Sequence, residues 1–343
     1  MAEFICLINQ DTIIIKPPKK SPLLLRTIVL IFAMVCGVYI CSVCLKQINI
    51  QNNNINIQSI QIIERPHHGN GVKLLENPYR HFPNPKTFSR GECARNPVKF
   101  FAILSMQRSG SGWFESLLNS HANVSSNGEI FSRWYRRENI SSIVQTLDKV
   151  YNLDWLSSAS KNECSAAVGF KWMLNQGLMD HHKEVVEYFN RRGVSAIFIF
   201  RRNLLRRMVS DLANSYDRYA KLLNGTHKAH VHSVEEAEKL STYKPTINSE
   251  SLISDLEKME LTAANALAYF NSTRHMIVYY EDIIMNCTKL QDVLDFLGLP
   301  QMELKSRQVK IHIGSLADHI KNWDDVNRTL KGTSYEHFLY ADY

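Results

Sequence analysis

The sequence predicts a three-layer α/β/α domain with a mostly parallel central sheet, and three observations lead to this prediction. Short apolar runs alternate with longer amphipathic segments between residues 98 and 298. The apolar runs are nearly continuous, which is typical of strands that are covered on both faces. Strand and helix patterns that alternate along a chain indicate parallel β-α-β units.

The elements follow one another in a regular order. The apolar runs predict strands at 98–105, 167–172, 194–200 and 276–280, and a helical period predicts helices at 113–120, 180–192, 204–216, 249–270 and 291–297. Gly193 and Gly298 follow two of these helices, as glycine commonly does at a helix C-terminus. Ligands bind at the carboxyl ends of the strands in such sheets, so the residues after the strands are candidate site residues.

The turn after the first predicted strand is the most informative segment of the chain, Arg108-Ser109-Gly110-Ser111-Gly112-Trp113. A strand, a small-residue turn and a helix together surround a phosphate with backbone N–H groups. A Walker A loop needs a Lys followed by Ser or Thr, whose hydroxyl binds a metal ion. Here the cation precedes the glycines and no Lys follows them. The turn therefore predicts a P-loop-type domain that holds a phosphate-bearing donor without magnesium.

Other candidate residues follow the other predicted strands. Arg201 and Arg202 come directly after the run at 194–200, and Ser210 comes eight residues after Arg202. Glu129 lies between the first two predicted strands, and Lys171 lies within the second. A carboxylate that removes a proton and cations that bind an anionic donor are therefore expected at one edge of the sheet.

These motifs resemble those of sulfotransferases that use 3′-phosphoadenosine 5′-phosphosulfate (PAPS), in the membrane-anchored carbohydrate group. In that family a [RK]-S-G-[ST]-x-[WFL] turn binds the 5′-phosphosulfate, and residues 108–113 match it. An Arg at a strand end with a Ser eight residues later binds the 3′-phosphate, and Arg202 and Ser210 match this second motif. The segments 128–131 and 169–171 also resemble the branch that includes bacterial nodulation and trehalose sulfotransferases. The resemblance covers residues 98 to 333.

The resemblance implies an enzyme that moves the sulfuryl group of PAPS to a hydroxyl group, with a carbohydrate on a glycan, glycoprotein or glycolipid as the expected acceptor. It implies PAPS as co-substrate and no metal. Glu129 would be the catalytic base, with His121 as the competing base, and Lys171 would contact the acceptor. Arg108 would stabilise the leaving nucleotide. The donor-binding residues implied are Arg108, Ser109, Gly110, Ser111, Gly112, Trp113, Arg202, Ser210 and a loop of Lys331 and Gly332.

Two other functions stay open on the sequence alone. A lumenal P-loop kinase that uses ATP and magnesium would need an acidic residue after a strand, and Glu281-Asp282 follows the run at 276–280. The second alternative is a catalytically inactive Golgi binding protein that has the same fold. The formal net charge of +7 favours anionic ligands, no nucleic-acid partner is predicted, and a homodimer is left open.

Residues 27–45 form an uncharged, apolar stretch of 19 residues, close to the roughly 20 that cross a bilayer. Lys16, Lys19, Lys20 and Arg26 precede it, which predicts an N-terminus in the cytosol. A cleavable signal peptide is the alternative. The predicted organisation is a cytosolic tail at 1–26, a transmembrane signal anchor at 27–45, a stem at 46–97 and a catalytic domain at 98–343. The last would lie in the Golgi lumen, as in a single-pass type II membrane protein.

Glycosylation motifs and cysteines agree with a lumenal domain. Asn-x-Ser/Thr motifs beyond the anchor give the glycosylation candidates Asn139, Asn224, Asn271, Asn286 and Asn327, and a sixth motif at Asn123 lies close to the predicted site. Cys93, Cys164 and Cys287 permit one disulfide, and the sequence does not choose the pair.

Overall fold

The computed structural model describes residues 6–9, 12–15, 31, 34–35, 79–155, 164–286 and 288–340. The chain divides into two units, Met1–Lys73 and Leu74–Tyr343. In the first unit, β1 (Cys6–Asn9) and β2 (Thr12–Ile15) pair in an antiparallel hairpin. The predicted anchor at 27–45 lies almost wholly outside the described residues. Within the described residues no helix has the length and apolar character to span a bilayer.

The second unit is built on a five-stranded sheet in which every strand pair is parallel. Its strand order is β4-β5-β3-β6-β7, with β3 (Lys99–Ser105), β4 (Val124–Ser126), β5 (Ala167–Met173), β6 (Val194–Phe200) and β7 (His275–Tyr279). The prediction of an α/β fold with a parallel sheet is confirmed. The chain runs outward from β3 to β4 and later crosses to β6 on the other side of β3. The carboxyl end of β3 is therefore the point at which open α/β sheets bind ligands.

Helices cover both faces of this sheet, which confirms the predicted three layers. In β3, Phe101 and Ile103 face one core cluster, whereas Phe100, Ala102 and Leu104 face the other. The first cluster includes residues of α1 (Ser111–Ser120), α7 (Tyr280–Met285) and α8 (Thr288–Leu297). The second includes residues of α2 (Ile140–Tyr151), α3 (His182–Arg192), α4 (Leu204–Ala220), α6 (Leu252–Tyr269) and α9 (Trp323–Leu330). Helix α5 (Val234–Ser241) contributes to a third, smaller cluster.

The segment 79–97, predicted as the end of a stem, lies instead against the domain. His81 and Val98 exchange backbone hydrogen bonds of 3.0 and 2.7 Å, and the His81 ring stacks on Phe100 with the ring centroids 3.9 Å apart. Cys93 is bonded to Cys164, and Cys287 lies outside the described residues. The prolines of this segment disfavour regular helices and strands, but they do not prevent the side chains from being buried.

Candidate active site

A cavity of about 600 Å³ opens at the carboxyl edge of the sheet, and it has the size of a small-molecule site. Three cations reach it from three neighbouring strands: Arg108 follows β3, Lys171 lies near the end of β5, and Arg201 follows β6. Because β3 lies between β5 and β6, the sheet brings these side chains together although they are far apart in the sequence. Arg108, Lys171 and Arg201 therefore line one cavity at this edge of the sheet.

Two glycines let the walls of this cavity approach the backbone at the start of α1. Gly110 precedes the helix with a φ of 85°, and no side chain caps the helix there. A Cβ atom on Gly110 would lie 2.3 Å from Cδ2 of Tyr280, and one on Gly112 would lie 2.3 Å from Nε2 of His230. The first N–H groups of a helix have no intrahelical acceptor and attract anions. Gly110, Ser111 and Gly112 all line the cavity, so these donors are available to a phosphate.

Arg108 links the two predicted phosphate motifs directly. Its Nε donates a hydrogen bond to Oγ of Ser210 at 2.9 Å, and its Nη1 donates to the carbonyl oxygen of Ala229 at 2.8 Å. Burial and, to a smaller extent, the neighbouring Arg201 lower the pKa of Arg108 to about 10, so the side chain stays charged at neutral pH. The backbone of Arg108 has a φ of 61°, which is uncommon for a residue other than glycine and is found most often at functional sites.

The arginines after β6 differ from the prediction. Arg201 lines the cavity, with its guanidinium carbon 5.2 Å from the centroid of the Tyr280 ring. The side chain of Arg202 is 54% exposed, and its Nη2 donates to Oδ2 of Asp282 at 2.8 Å. Arg202 is not among the residues that line the cavity. Successive side chains of an extended backbone point to opposite sides, so only one of the two arginines can face the cavity.

Lys171 and two carboxylates form a charged group on one wall of the cavity. Nζ of Lys171 lies 3.6 Å from Oε2 of Glu115 and 3.7 Å from Oε2 of Glu129. Glu115 is buried, and its Oε1 accepts hydrogen bonds from Oγ of Ser126 at 2.6 Å and from the backbone N–H of Gly128 at 2.9 Å. Glu115 therefore holds both Lys171 and the segment that carries Glu129. Glu115 was not predicted as a site residue, although a carboxylate on the buried face of a predicted helix was a usable signal.

Glu129 and His121, the two candidate bases, occupy different environments. Glu129 lines the cavity, and its Oε1 accepts a hydrogen bond from Nε2 of Gln176. His121 is buried and does not line the cavity; its Nε2 lies 3.1 Å from the carbonyl oxygen of Pro300. Of the two, Glu129 is the residue placed to accept a proton from a molecule bound in the cavity.

Three other predicted donor-binding residues do not line the cavity. Ser109 is fully buried behind the turn. Lys331 and Gly332 are exposed at the end of α9, where the backbone N–H of Gly332 donates to Oε2 of Glu336 at 2.9 Å. A lysine next to a glycine also occurs in ordinary turns, so the pair alone did not specify a position in the fold.

Two histidines line the cavity from segments that have no regular structure. A backbone bridge between Val231 and Val309 brings the segment of His230 beside that of His312. Burial, together with nearby basic side chains, lowers the pKa of His230 to about 4 and that of His312 to about 3. Both rings are therefore neutral at neutral pH. No period in the sequence of these loops predicts that the two rings reach the cavity.

The carboxylates that the kinase alternative requires are engaged by neighbouring groups. Oε2 and Oε1 of Glu281 accept the backbone N–H groups of Arg202 at 2.9 Å and of Asn203 at 3.2 Å. Asp282 is paired with the Arg202 side chain. These contacts hold the end of β6 beside the start of α7.

No protein-family model matches the chain. Nodulation protein H of Rhizobium meliloti is 25% identical over 219 residues, which cover 62% of this chain and 83% of that protein.

Three solved structures with similarity to the chain are of sulfotransferases. They are mouse sulfotransferase SULT7A1 complexed with PAP (14% identity, TM-score 0.31), the sulfotransferase domain from the curacin biosynthetic pathway (16%, 0.32) and the sulfotransferase from Alicyclobacillus acidocaldarius (11%, 0.35). The matches cover 59%, 71% and 62% of this chain and 60%, 89% and 85% of those chains. The chain therefore spans less than two thirds of the mouse protein. At these TM-scores the functional proposal rests on the motifs and the cavity.

Proposed function

We propose that this protein is a PAPS-dependent sulfotransferase that transfers a sulfuryl group to a hydroxyl of a carbohydrate acceptor. The observation that carries the proposal is the convergence of Arg108, Lys171 and Arg201 on one cavity beside the start of α1. PAPS bears a 5′-phosphosulfate and a 3′-phosphate, so it needs cations at two separate points. Guanidinium groups suit such contacts because each can donate two parallel hydrogen bonds to a phosphate or sulfate.

The donor would bind across the two motifs that meet at Arg108 and Ser210. The turn from Arg108 to Trp113 and the N–H groups of α1 would hold the 5′-phosphosulfate. Ser210 and an arginine after β6 would hold the 3′-phosphate, and Arg201 is the arginine that lines the cavity. Trp113 lies on the cavity wall with its ring centroid 5.5 Å from that of Tyr280, so an aromatic surface is available to the adenine.

The reaction would be an in-line displacement at sulfur. Glu129 would take the proton of the acceptor hydroxyl as its oxygen forms the new bond to sulfur. The bond from sulfur to the oxygen of the 5′-phosphate would break, and the electron pair would stay on that oxygen. Arg108 and Lys171 would stabilise the negative charge that develops there. Positioning and charge stabilisation would supply most of the catalysis, as in phosphoryl transfer.

We also propose a Golgi-lumenal location, with residues 27–45 as the anchor. A disulfide such as Cys93–Cys164 is typical of oxidising compartments. The glycosylation candidates Asn139, Asn224, Asn271 and Asn286 are exposed, and Asn327 is half-buried. Protease added to intact Golgi vesicles should leave residues 98–343 uncut, and endoglycosidase should increase the gel mobility of the chain. Digestion of that domain in intact vesicles would contradict the proposed orientation.

The transfer reaction itself is tested with radiolabelled PAPS and the purified full-length chain on a panel of glycans and peptides. Wild type should label a glycan, whereas Arg108→Ala and Glu129→Ala should not. Arg328→Ala removes an arginine whose side chain is 78% exposed and serves as the matched control. Equal labelling by wild type and both site variants would contradict the mechanism. Binding of PAP without transfer to any acceptor would instead support the inactive binding protein.

A further inference from the structure

A second cavity, of about 570 Å³, lies next to the first. Gln107 lines both cavities, and Asn175, the residue to which the Gln107 side chain donates a hydrogen bond, lines the second. The wall between the two cavities is thus a pair of amide side chains at the carboxyl ends of β3 and β5. Gln176, next to Asn175 in the sequence, donates a hydrogen bond to Glu129, so one short segment connects the lining of the second cavity to the proposed catalytic base.

Arg207 of α4 is the unusual residue of this second cavity. It is only 7% exposed, yet no carboxylate in the described part of the chain lies within 4 Å of its guanidinium nitrogens. Nη1 donates to the thioether sulfur of Met259 at 3.0 Å, and Nε has no hydrogen-bond partner. Buried charges are ordinarily paired, because an unpaired buried charge is costly. Arg207 lines the second cavity, so the positive charge of its guanidinium is left for an anionic group that enters the cavity to balance.

The other charged groups that line the second cavity leave the guanidinium of Arg207 without an ion pair. Asp255 is held by Oγ of Ser251 at 2.9 Å and lies 3.3 Å from Nζ of Lys258. Burial lowers the pKa of Arg207, and Asp211, one helical turn further on and also in the cavity wall, opposes this only in part. Asp211 attracts Arg207 but makes no ion pair with it. Thr246, Asn248 and Thr262 add polar groups that suit the hydroxyls of a sugar.

We infer that this cavity is an acceptor subsite in which Arg207 binds an anionic group of the carbohydrate, a carboxylate or a sulfate ester. The inference rests on the proposed function and adds the class of acceptor. An acceptor bound in this way would have its anionic group on Arg207 and a neighbouring hydroxyl directed past Gln107 to Glu129. A carboxylate and a sulfate ester can each accept two parallel hydrogen bonds from a guanidinium.

The test measures the binding of matched disaccharides to the full-length chain saturated with PAP. One pair is a uronic-acid disaccharide and its carboxyl-reduced form, and the other is a sulfated disaccharide and its desulfated form. Wild type should bind one or both anionic forms roughly 10- to 100-fold more tightly than the neutral partner. Arg207→Met should reduce the preference to less than about twofold, and Arg207→Lys should keep part of it. Arg328→Met, at an exposed arginine of α9, should leave it unchanged.

The two pairs separate a carboxylate from a sulfate as the group that is bound. The affinity for PAP, measured first on each protein, separates this inference from the proposed function. Wild type that fails to bind PAP would overturn the proposed function. PAP binding with no preference for either anionic form, or with a preference that survives in Arg207→Met, would overturn the subsite alone.

Thermal unfolding adds a check, because removal of an unpaired buried charge should not lower the melting temperature. A marked loss of stability in Arg207→Met would indicate a structural role and count against the subsite.

Discussion

Nε of Arg108 donates a hydrogen bond to Oγ of Ser210 across 102 positions of sequence, at 2.9 Å. The pair joins the turn after β3 to the helix after β6, which are the two segments of the predicted donor site. Since a bisphosphate would contact both residues, their contributions to binding should be coupled.

A double-mutant cycle tests this coupling. Arg108→Ala should weaken PAP binding about 100-fold, because a charged donor of several hydrogen bonds is lost, and Ser210→Ala about 10-fold. The double variant should lose less than the product of the two effects, because the residues share one contact. Calorimetric titration measures each constant. Strict additivity would contradict the coupling of the two residues.

Arg201 and Arg202 provide a matched pair for locating the 3′-phosphate. Arg201 lines the cavity, whereas Arg202 is paired with Asp282 at 2.8 Å. Arg201→Met should weaken PAP binding by about tenfold or more, and Arg202→Met by less than about threefold. AMP, which lacks the 3′-phosphate, should distinguish the variants far less than PAP does. The reverse order for PAP would restore the sequence prediction for Arg202.

Glu129→Gln separates catalysis from donor binding. Gln keeps the shape of the side chain but removes its basicity, so kcat should fall by roughly 10²- to 10⁴-fold, while the Kd for PAP changes little. Glu138→Gln, at an exposed glutamate nearby, is the control and should retain full activity. An active Glu129→Gln enzyme would exclude Glu129 as the base.

The histidines of the cavity predict a stability that depends on pH. The pKa is about 4 for folded His230 and about 3 for folded His312, against about 6.5 in an unfolded chain. The unfolded state therefore binds more protons between these values, and stability rises with pH in that window. The contribution of the two neutral histidines to stability should be fully present above about pH 6.5, and it should be lost as the pH falls toward 4.

Thermal unfolding of a His230→Gln/His312→Gln variant should show a flatter pH profile than wild type. His337→Gln, at an exposed histidine, should not change the slope, and an unchanged slope in the double variant would contradict the assignment.

The Cys93–Cys164 disulfide should stabilise the domain through the chain that it closes. It joins positions 71 residues apart, and cross-links of this kind contribute roughly 2–5 kcal/mol. Cys93→Ala/Cys164→Ala should lose that much free energy of unfolding in urea. Reducing agent should have the same effect on wild type and none on the variant. Equal stability of wild type and variant without reductant would show that the bond does not hold the segment 79–97 in place.

The parallel sheet could be predicted because its strands carry strong local signals. The strand Val194–Phe200 has the predicted bounds, since a continuous apolar run lies between Gly193 and Arg201. Parallel strands bring their carboxyl ends to one edge, so the approach of Arg108 to Ser210 followed from the order of the elements. Helices α2, α5, α7 and α9 and the short strand β4 were not predicted from the sequence.

The direction of individual side chains could not be predicted. Both Arg201 and Arg202 follow β6, and the choice between them depends on Asp282, 80 positions away in the sequence. The position of His230 depends likewise on the bridge between Val231 and Val309. The unpaired guanidinium of Arg207 can be recognised only when the burial of α4 and its neighbours is known. Contacts between distant segments decide these features, and local patterns carry no signal for them.

Calorimetric titration of PAP into the full-length chain, in buffer with EDTA, tests the central claim most directly. The claim is that the cavity lined by Arg108, Lys171 and Arg201 binds a 3′,5′-bisphosphate without a metal ion. We expect PAP to bind at one site per chain with an affinity that EDTA does not change. ATP should bind more weakly, and the binding of PAP should be lost in Arg108→Ala. Absence of PAP binding, or binding of ATP that requires magnesium and exceeds that of PAP, would contradict it.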